Sequence, residues 1–391
     1  MDHTSRRELL KALEGRFGGR CKPHGKHVGP LATVLPADAG EVGVLAEIAR
    51  RYSVALRPVG AGLDPDLPEP AGEAVLVGTE MMRAVRFPDA GRSRVEAEPG
   101  ALWLELEGEL RSSHRALTVY PTSAPRATVG GWLARDGLGV GSFGYGWLRE
   151  NVLSAELVQP DGRLRTLEGD DLGLAVGAMG RTGVIVSAAL KLRETRGDRP
   201  FAAAFAGPEA LQGAISLLLD WRPPLWHLGF MNPPMARAVR SPEQYLIFGA
   251  YPASGAAAAD RELAQTLSES HGGPLDAAET HRIWDSRFFP VAPAHPTPAP
   301  GRVLVPASRI GVVLDHLGSG PAEVAVLGSI ARDGSALLLA FASSGAEGRL
   351  QSLAAGDEAG LVGIARSVGG EAYRAVLKRR AEHSYGSAPS R

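Results

Sequence analysis

The sequence predicts an α+β protein of two domains, and three observations carry that prediction. Helix-patterned and strand-patterned segments alternate through the first half. The pattern breaks at Arg196-Gly-Asp-Arg-Pro, inside a boundary placed near 194–200. After Arg302 a β-α-β-β-α order returns, which suits a smaller split-βαβ, ferredoxin-like domain. A chain of 391 residues accommodates about two domains. The expected division is 1–196 for the first, 197–383 for the second, and a mobile tail over 384–391.

Each element has a local reason. Residues 9–17 read as a short amphipathic helix and 33–35 as a strand ended by Pro36. Asp38 and Glu41 have capping-box spacing, and Val42, Leu45, Ile48, Ala49 and Tyr52 follow at helical intervals. A strand over 54–56 runs into Pro58-Val-Gly-Ala-Gly-Leu63. Strands follow at 74–77 and 92–97, then a helix marked by Leu102, Leu106, Glu109 and Leu110. Pro160-Asp-Gly162 between 152–158 and 163–167 signals a hairpin. Residues 183–192 form the last strand of the half. Beyond the boundary, 210–219 and 256–270 read as helices and 245–251 as a strand. The stretch 289–300 is too Pro-rich for a regular element. Strand 303–305, helix 309–317, strands 324–330 and 336–341, and helices to about 380 complete the chain.

Composition narrows the function classes. Hydrophobic residues make up 44% and charged residues 22%, which supports a packed core and excludes wholesale disorder. Lys plus Arg number 42 against 43 Asp plus Glu, so the basic excess of a nucleic-acid binder is missing. A single cysteine, Cys21, excludes an internal disulfide framework and a Cys-rich metal site. No apolar run approaches the ~20 residues of a membrane helix. The first residues lack the apolar core of a secretory signal, so a cytoplasmic location is expected.

Several motifs fail on their own chemistry. Gly60-Ala-Gly62 lacks the third glycine of a dinucleotide fingerprint, since that position is Pro65. Gly25-Lys26 lacks the earlier glycine of a P-loop, and His27 stands where a Ser or Thr would hold magnesium. Cys21, His24 and His27 are spaced as metal ligands but have no evident fourth partner in a basic loop. No HExxH or GxSxG occurs. No metal site is expected.

Three glycine-rich segments remain. They are Pro58 to Asp64, Pro121 to Gly146, and Gly177 to Ile185. Such glycine density lets backbone N–H groups approach a phosphate or a flat ring without an intervening Cβ. Thr122, Ser123, Thr128 and Ser142 add hydroxyl groups.

In this order, on this β/α pattern, the segments resemble the FAD-binding domain of the vanillyl-alcohol oxidase/p-cresol methylhydroxylase (PCMH-type) flavoproteins. The D-lactate dehydrogenase and glycolate oxidase branch is the nearest in pattern. The match runs from about Leu31 to Arg193. Pro58 to Gly62 matches the family's P-x-G-x-G loop, and Pro121 to Gly131 its proline-led T-[IV]-G-G segment. Tyr145-Gly146, Arg149-Glu-Asn-Val-Leu153 and Asp161-Gly162 match the stretch that follows. Gly177 to Ile185 matches loosely the family's GS-x-G-T-L-G-I segment. The resemblance implies FAD between two α+β subdomains, with a second domain capping the flavin. It implies pyrophosphate contacts from Val59, Gly60, Ala61, Gly62, Leu63 and Asp64. Thr122, Ser123, Thr128, Val129, Gly130, Gly131, Ala134, Gly141 and Ser142 would lie along the pyrophosphate and flavin. Val184 and Ile185 would contact FAD through backbone.

The departures from the family pattern refine this. Leu63 stands where covalent members often carry His, so the flavin is expected to be non-covalent. Residues 328–337 stand where metal-dependent members carry H-x-G-D-G-N-x-H, and they contain no His. His281 to Arg287 resembles the family's L-W-x-x-R stretch. There Arg287 is the candidate catalytic residue, holding a substrate carboxylate bidentately, with a surface Arg beside a core Trp284 as the plain alternative. Tyr145 is the second candidate, as a ring near the flavin or as an aromatic plug. Trp226, His227 and Tyr245 could line a pocket.

The function so implied is FAD-dependent oxidation of a small 2-hydroxy acid or related alcohol. The electrons would pass to a partner electron-transfer subunit, a quinone or oxygen. The alternative is a non-catalytic FAD-binding subunit of a glycolate-oxidase-like complex. The acidic, Pro-rich run Asp64-Pro-Asp-Leu-Pro-Glu-Pro70 beside the pyrophosphate loop argues for a third possibility, in which binding is lost.

Overall fold

The computed structural model describes residues 2–25, 29–62, 73–89, 91, 93–254, 256–288, 301–343, 346, 349 and 362–364. Its contacts divide the chain into two units. One comprises Met1–Gly137 and Trp147–Glu194, the other Leu138–Gly146 and Thr195–Arg391. No described helix is long and apolar enough to cross a membrane.

The first unit contains two sheets. Helix α1 (His3–Phe17) starts at Asp2, whose carboxylate accepts from the Thr4 and Ser5 N–H groups. Strand β1 (Cys21–Pro23), strand β2 (Ala32–Val34), helix α2 (Ala39–Arg51), strand β3 (Ala55–Val59) and strand β4 (Ala74–Gly78) follow. The first sheet has the order β1-β2-β4-β3, with β2, β4 and β3 parallel and β1 antiparallel at one edge. Leu9, Leu13 and Phe17 of α1 share one core with Val42 and Leu45 of α2 and with Val34, Val75 and Val77 of the sheet. Asp38 caps α2 by accepting from Glu41 N–H at 2.8 Å. The expected reciprocal bond is not the one made. Glu41 accepts instead from Ala37 N–H at 2.8 Å, because its carboxylate is also held by the Arg20 guanidinium.

Strand β5 (Val85–Arg86), strand β6 (Arg94–Ala97), helix α3 (Trp103–Arg111), strand β7 (Arg115–Leu117) and helix α4 (Val129–Arg135) lead to a short helix α5 (Ser142–Tyr145). Strand β8 (Val152–Val158), strand β9 (Leu164–Leu167) and strand β10 (Val184–Glu194) then close the unit. The second sheet has the antiparallel order β5-β6-β10-β8-β9, with β7 on the end of β10. The hairpin expected at Pro160-Asp-Gly162 is present, with Gly162 at φ 86. Glu107, rather than Glu109, is the acidic residue α3 buries. Its carboxylate accepts from Leu117 N–H and from Arg111, both at 2.8 Å, and ties α3 to β7.

The second unit is built on one sheet of eight strands. Strand β11 (Asp198–Phe205), helix α6 (Pro208–Trp221), strand β12 (His227–Met231), helix α7 (Pro233–Ala238), strand β13 (Tyr245–Pro252), helix α8 (Ala256–Glu269) and strand β14 (Gly273–Pro274) come first. Helix α9 (Ala277–Asp285) links them to strand β15 (Gly301–Pro306), helix α10 (Ile310–Gly318), strand β16 (Val324–Ile330), strand β17 (Ser335–Ala342) and strand β18 (Val362–Ile364). The order is β14-β11-β13-β12-β16-β17-β15-β18. Numbered within each half, both halves read 4-1-3-2, the split-βαβ arrangement. The ferredoxin-like motif expected after Arg302 therefore occurs twice. The copies join through their second strands, β12 and β16, paired antiparallel at Gly229–Ser329, Phe230–Gly328 and Met231–Leu327.

Helices α6, α8 and α10 cover one face through Leu211, Ile215, Leu263, Val313 and Leu317. Across the strands, phenylalanine rings lie over glycines in register: Phe201 over Gly249, Phe248 over Gly229 and Phe230 over Gly328. A Cβ on Gly328 would stand 2.1 Å from the Phe230 ring. Asn232 fastens the seam between the halves. It accepts from Val326 N–H and donates to Val324 O, both at 2.7 Å. The helices expected after residue 342 are corrected in one place. Residues 362–364 form β18, because their backbone pairs with the otherwise open edge of β15. The Pro-rich stretch 289–300 and the tail lie outside the described residues.

Candidate functional site

In the first unit the three glycine segments converge on the C-terminal end of β3. Gly60 follows β3 with no room for a side chain: a Cβ there would stand 2.4 Å from Thr128 Oγ1 and 3.3 Å from Gly131 Cα. Ala61 and Gly62 are exposed, with Gly62 at φ 64. Leu63 and Asp64, with the acidic run after them, lie outside the described residues.

The second segment supplies the other wall. Thr128 caps α4, its hydroxyl accepting from Gly131 N–H at 3.3 Å, while its carbonyl accepts from the buried Trp103 indole at 3.1 Å. The N–H of Val129 goes to Ala101 O and that of Gly130 to Pro99 O. Both residues are buried, so their part is to seat the helix start rather than to offer free donors. Gly131 is exposed beside Gly60, and Ala134, Thr122 and Ser123 are half-buried.

The third segment hangs from the far end of α4. Gly177 N–H donates to Leu133 O and Met179 N–H to Ala134 O. A Cβ on Gly180 would meet the Pro58 ring at 3.1 Å, and one on Gly183 would meet Val158 O at 2.3 Å. Val184 and Ile185 are buried in β10, opposite Val158 and Leu157. Gly180, Arg181, Gly183 and Val184 line a cavity of about 410 Å³ with Arg50, Ser53, Leu56 and Gln159.

One residue here carries no signal in the sequence analysis. Asp136, at φ 56 and 0% exposed, ends α4 and accepts from Arg149 N–H at 3.2 Å and from its Nε at 2.6 Å. Leu148 N–H donates to Gly137 O. Together these bonds close the neck of the excursion 138–146. They also give Arg149 of the matched motif a physical role. A helix end followed by glycine was the only available hint.

The remaining candidates lie in the second unit. Gly141 has φ 103 and starts α5, and Ser142 Oγ accepts from Gly139 N–H at 3.0 Å. Gly144 N–H donates to Trp226 O at 3.0 Å, with no room for a Cβ against Trp226 Cα at 2.8 Å. Tyr145 ends α5 at 37% exposure. His227 opens β12 at 1% exposure, and its Nδ1 accepts from Gly141 N–H at 3.3 Å. Trp226, His227, Phe248 and Trp284 form an aromatic cluster with ring separations of 5.5 to 6.1 Å. Burial, and then the charge of Arg287, push the His227 ring down to about 3 from 6.5, so it is neutral. Arg287 is half-buried in the turn after α9. Its guanidinium lies 4.3 Å from both the Trp284 and Phe288 ring centres and donates to Trp284 O at 2.8 Å. Tyr245 is half-buried on β13. Among the described residues no three His, Cys, Asp or Glu side chains gather as a metal site.

A glycine turn pressed against a second backbone, with the Thr128 hydroxyl beside it, is a cradle that a Cβ would fill and that suits a pyrophosphate. Residues 30–168 match the family model of the FAD binding domain. Over those residues the chain carries an FAD binding domain, and FAD is its cofactor. Among curated proteins, alkyldihydroxyacetonephosphate synthase of Dictyostelium discoideum is 28% identical over 226 residues, covering 55% of this chain and 33% of that protein. The mitochondrial cytochrome-dependent D-lactate dehydrogenase of Arabidopsis thaliana is 28% identical over 176 residues, covering 42% of this chain and 30% of that one. The chain thus matches about a third of the length of these relatives. A solved alkyldihydroxyacetonephosphate synthase shares the fold at TM-score 0.73 and 17% identity, over 97% of this chain and 83% of that one. The curated proteins and the solved structure that this chain resembles are enzymes, and the part shared with the curated proteins includes the FAD binding domain.

Proposed function

We propose that this chain is an FAD-dependent oxidoreductase acting on a small 2-hydroxy acid or related alcohol, with non-covalent flavin. The observation that carries the reading is the convergence of Gly60, Thr128–Gly131 and Gly177–Gly183 on the end of β3. FAD supplies the two-electron acceptor when bound. The first unit holds the cofactor. The exposed turn Gly60–Gly62 binds the pyrophosphate, with the hydroxyls of Thr122 and Ser123 as further donors. Val184 and Ile185 contact FAD through their backbone.

The second unit serves the substrate. Gly141 and Ser142 are assigned to FAD as further contacts, and Tyr145 is the second candidate catalytic residue. Arg287 receives the substrate carboxylate. Its guanidinium, 4.3 Å from both the Trp284 and Phe288 ring centres and bonded to Trp284 O, is restrained for a bidentate partner. The acceptor is a partner protein, a quinone or oxygen, and reoxidation with each in turn identifies it.

A second reading has one observation in its favour. The synthase relative aligns over 55% of this chain and the D-lactate dehydrogenase over 42%, which supports a synthase reaction on a compound of the alkyldihydroxyacetonephosphate class instead. Anaerobic mixing with D-lactate, glycolate and longer 2-hydroxy acids separates the two. Loss of the visible flavin band with at least one acid is expected. A flavin left oxidised by every acid would sink the oxidoreductase reading.

A further inference from the structure

His227 stands apart from the other polar residues of the second unit. Alternation along β12 puts Leu228 and Phe230 into the helix-covered core, so His227 and Gly229 point to the opposite face. Only one of its ring nitrogens has a protein partner among the described residues. Nδ1 accepts the Gly141 N–H at 3.3 Å, while the buried Nε2 donates to none. A ring that accepts at Nδ1 carries its proton on Nε2. Burying that N–H without an acceptor is unfavourable, and a phenylalanine would fill the same aromatic cluster without the penalty. The bond to Gly141 is what distinguishes histidine from phenylalanine at this position.

The partner of that bond is a backbone that needs holding. Gly141 sits at φ 103, followed by a helix of only four residues. The same turn is fixed by Ser142 Oγ to Gly139 N–H and by Gly144 N–H to Trp226 O, the residue before His227. The start of β12 is thus a template for residues 139–144, with one side chain and one carbonyl aimed at it.

We infer that His227 is a positioning residue: its neutral ring accepts the Gly141 N–H and fixes the turn that carries Gly141 and Ser142, the two residues of this unit assigned to FAD. The inference rests on the assignment of Gly141 and Ser142 to FAD in the proposed function. A protonated ring has no lone pair at Nδ1 to accept with, and burial, then the positive charge of Arg287, oppose protonation.

The test compares the full-length wild type with His227→Asn, which keeps a short acceptor, and His227→Leu, which has none. FAD affinity by flavin fluorescence, the visible flavin spectrum, and hydrogen exchange of the 138–146 peptide without FAD are read for each. The Leu variant should bind FAD about tenfold more weakly, shift the flavin band and exchange 138–146 faster, and the Asn variant should recover most of each change. Wild-type exchange in 138–146 as slow as in β12 is expected, and this arm needs no variant to fold. Fast exchange there in the wild type would overturn the inference. So would unchanged affinity and spectra in both variants while the wild type binds FAD, and the flavoprotein reading would then survive. A wild type that takes up no FAD would instead remove that reading, and the inference with it.

Discussion

Gly60 shows how much one missing Cβ can decide. The atom would fall 2.4 Å from Thr128 Oγ1 and 3.3 Å from Gly131 Cα. Gly60→Ala must therefore push the β3 turn away from the start of α4, an overpacking cost of about 1–3 kcal/mol. Weaker FAD binding with a lowered melting temperature is expected, read by flavin titration and calorimetry. His227 gives a pH-dependent counterpart. Folding holds its ring neutral down to about 3, whereas the unfolded chain takes up the proton at 6.5. Above 6.5 both states are neutral and nothing changes. Below it the unfolded state binds the extra proton, so stability falls as pH drops from 6.5 toward 3. The fall should be shallower in His227→Asn, which lacks the titrating group, and melting temperatures across that window measure the difference.

At the scale of elements, the seam between β12 and β16 carries the second unit. Asn232 is buried and bonds both Val324 O and Val326 N–H while its Oδ1 also caps α7 at Met235 N–H. Asn232→Ala leaves buried backbone groups unpaired, so a loss of about 2–4 kcal/mol is expected by denaturant unfolding. A change below the scatter of a surface substitution would mean that the seam relaxes onto other partners. The elements themselves were largely legible in the sequence, because period and punctuation are local: Pro58 to Gly62 after a strand, Pro160-Asp-Gly162 between two, Asp38 before a helix. What was not legible is long-range. Glu41 chose Ala37 and Arg20 over its own cap, Glu107 is buried because Leu117 N–H and Arg111 hold its carboxylate, and β18 formed because β15 offered an edge. The glycine segments that the sequence singled out do meet in the first unit, yet nothing local foretold that 138–146 would fold with the second. Asp136, Asn232 and the bond from Gly141 to His227 depend on partners 13 to 94 residues away.

For the whole molecule, the division of the chain is not a single cut. A fragment covering 195–391 lacks Phe143, which belongs to the core of the second unit, and lacks the partner of His227. Such a fragment should melt without a cooperative transition, and one carrying 138–146 fused ahead of it should melt cooperatively, as calorimetry would show. Equal, sharp transitions in both would mean that the segment is an ornament on a self-sufficient sheet. The same threading has a meaning for biosynthesis. Gly141 leaves the ribosome 86 residues before His227, an interval of roughly 4 to 17 s at typical elongation rates. Through that interval Val140 and Phe143 are apolar side chains without β12 beside them, while the first unit is still receiving β8 and then β10. The Asp136–Arg149 ion pair, complete only a few residues later, cinches the uncovered loop at its base while translation catches up. A nascent chain of this protein should therefore engage holding chaperones over that stretch and release them as β12 emerges.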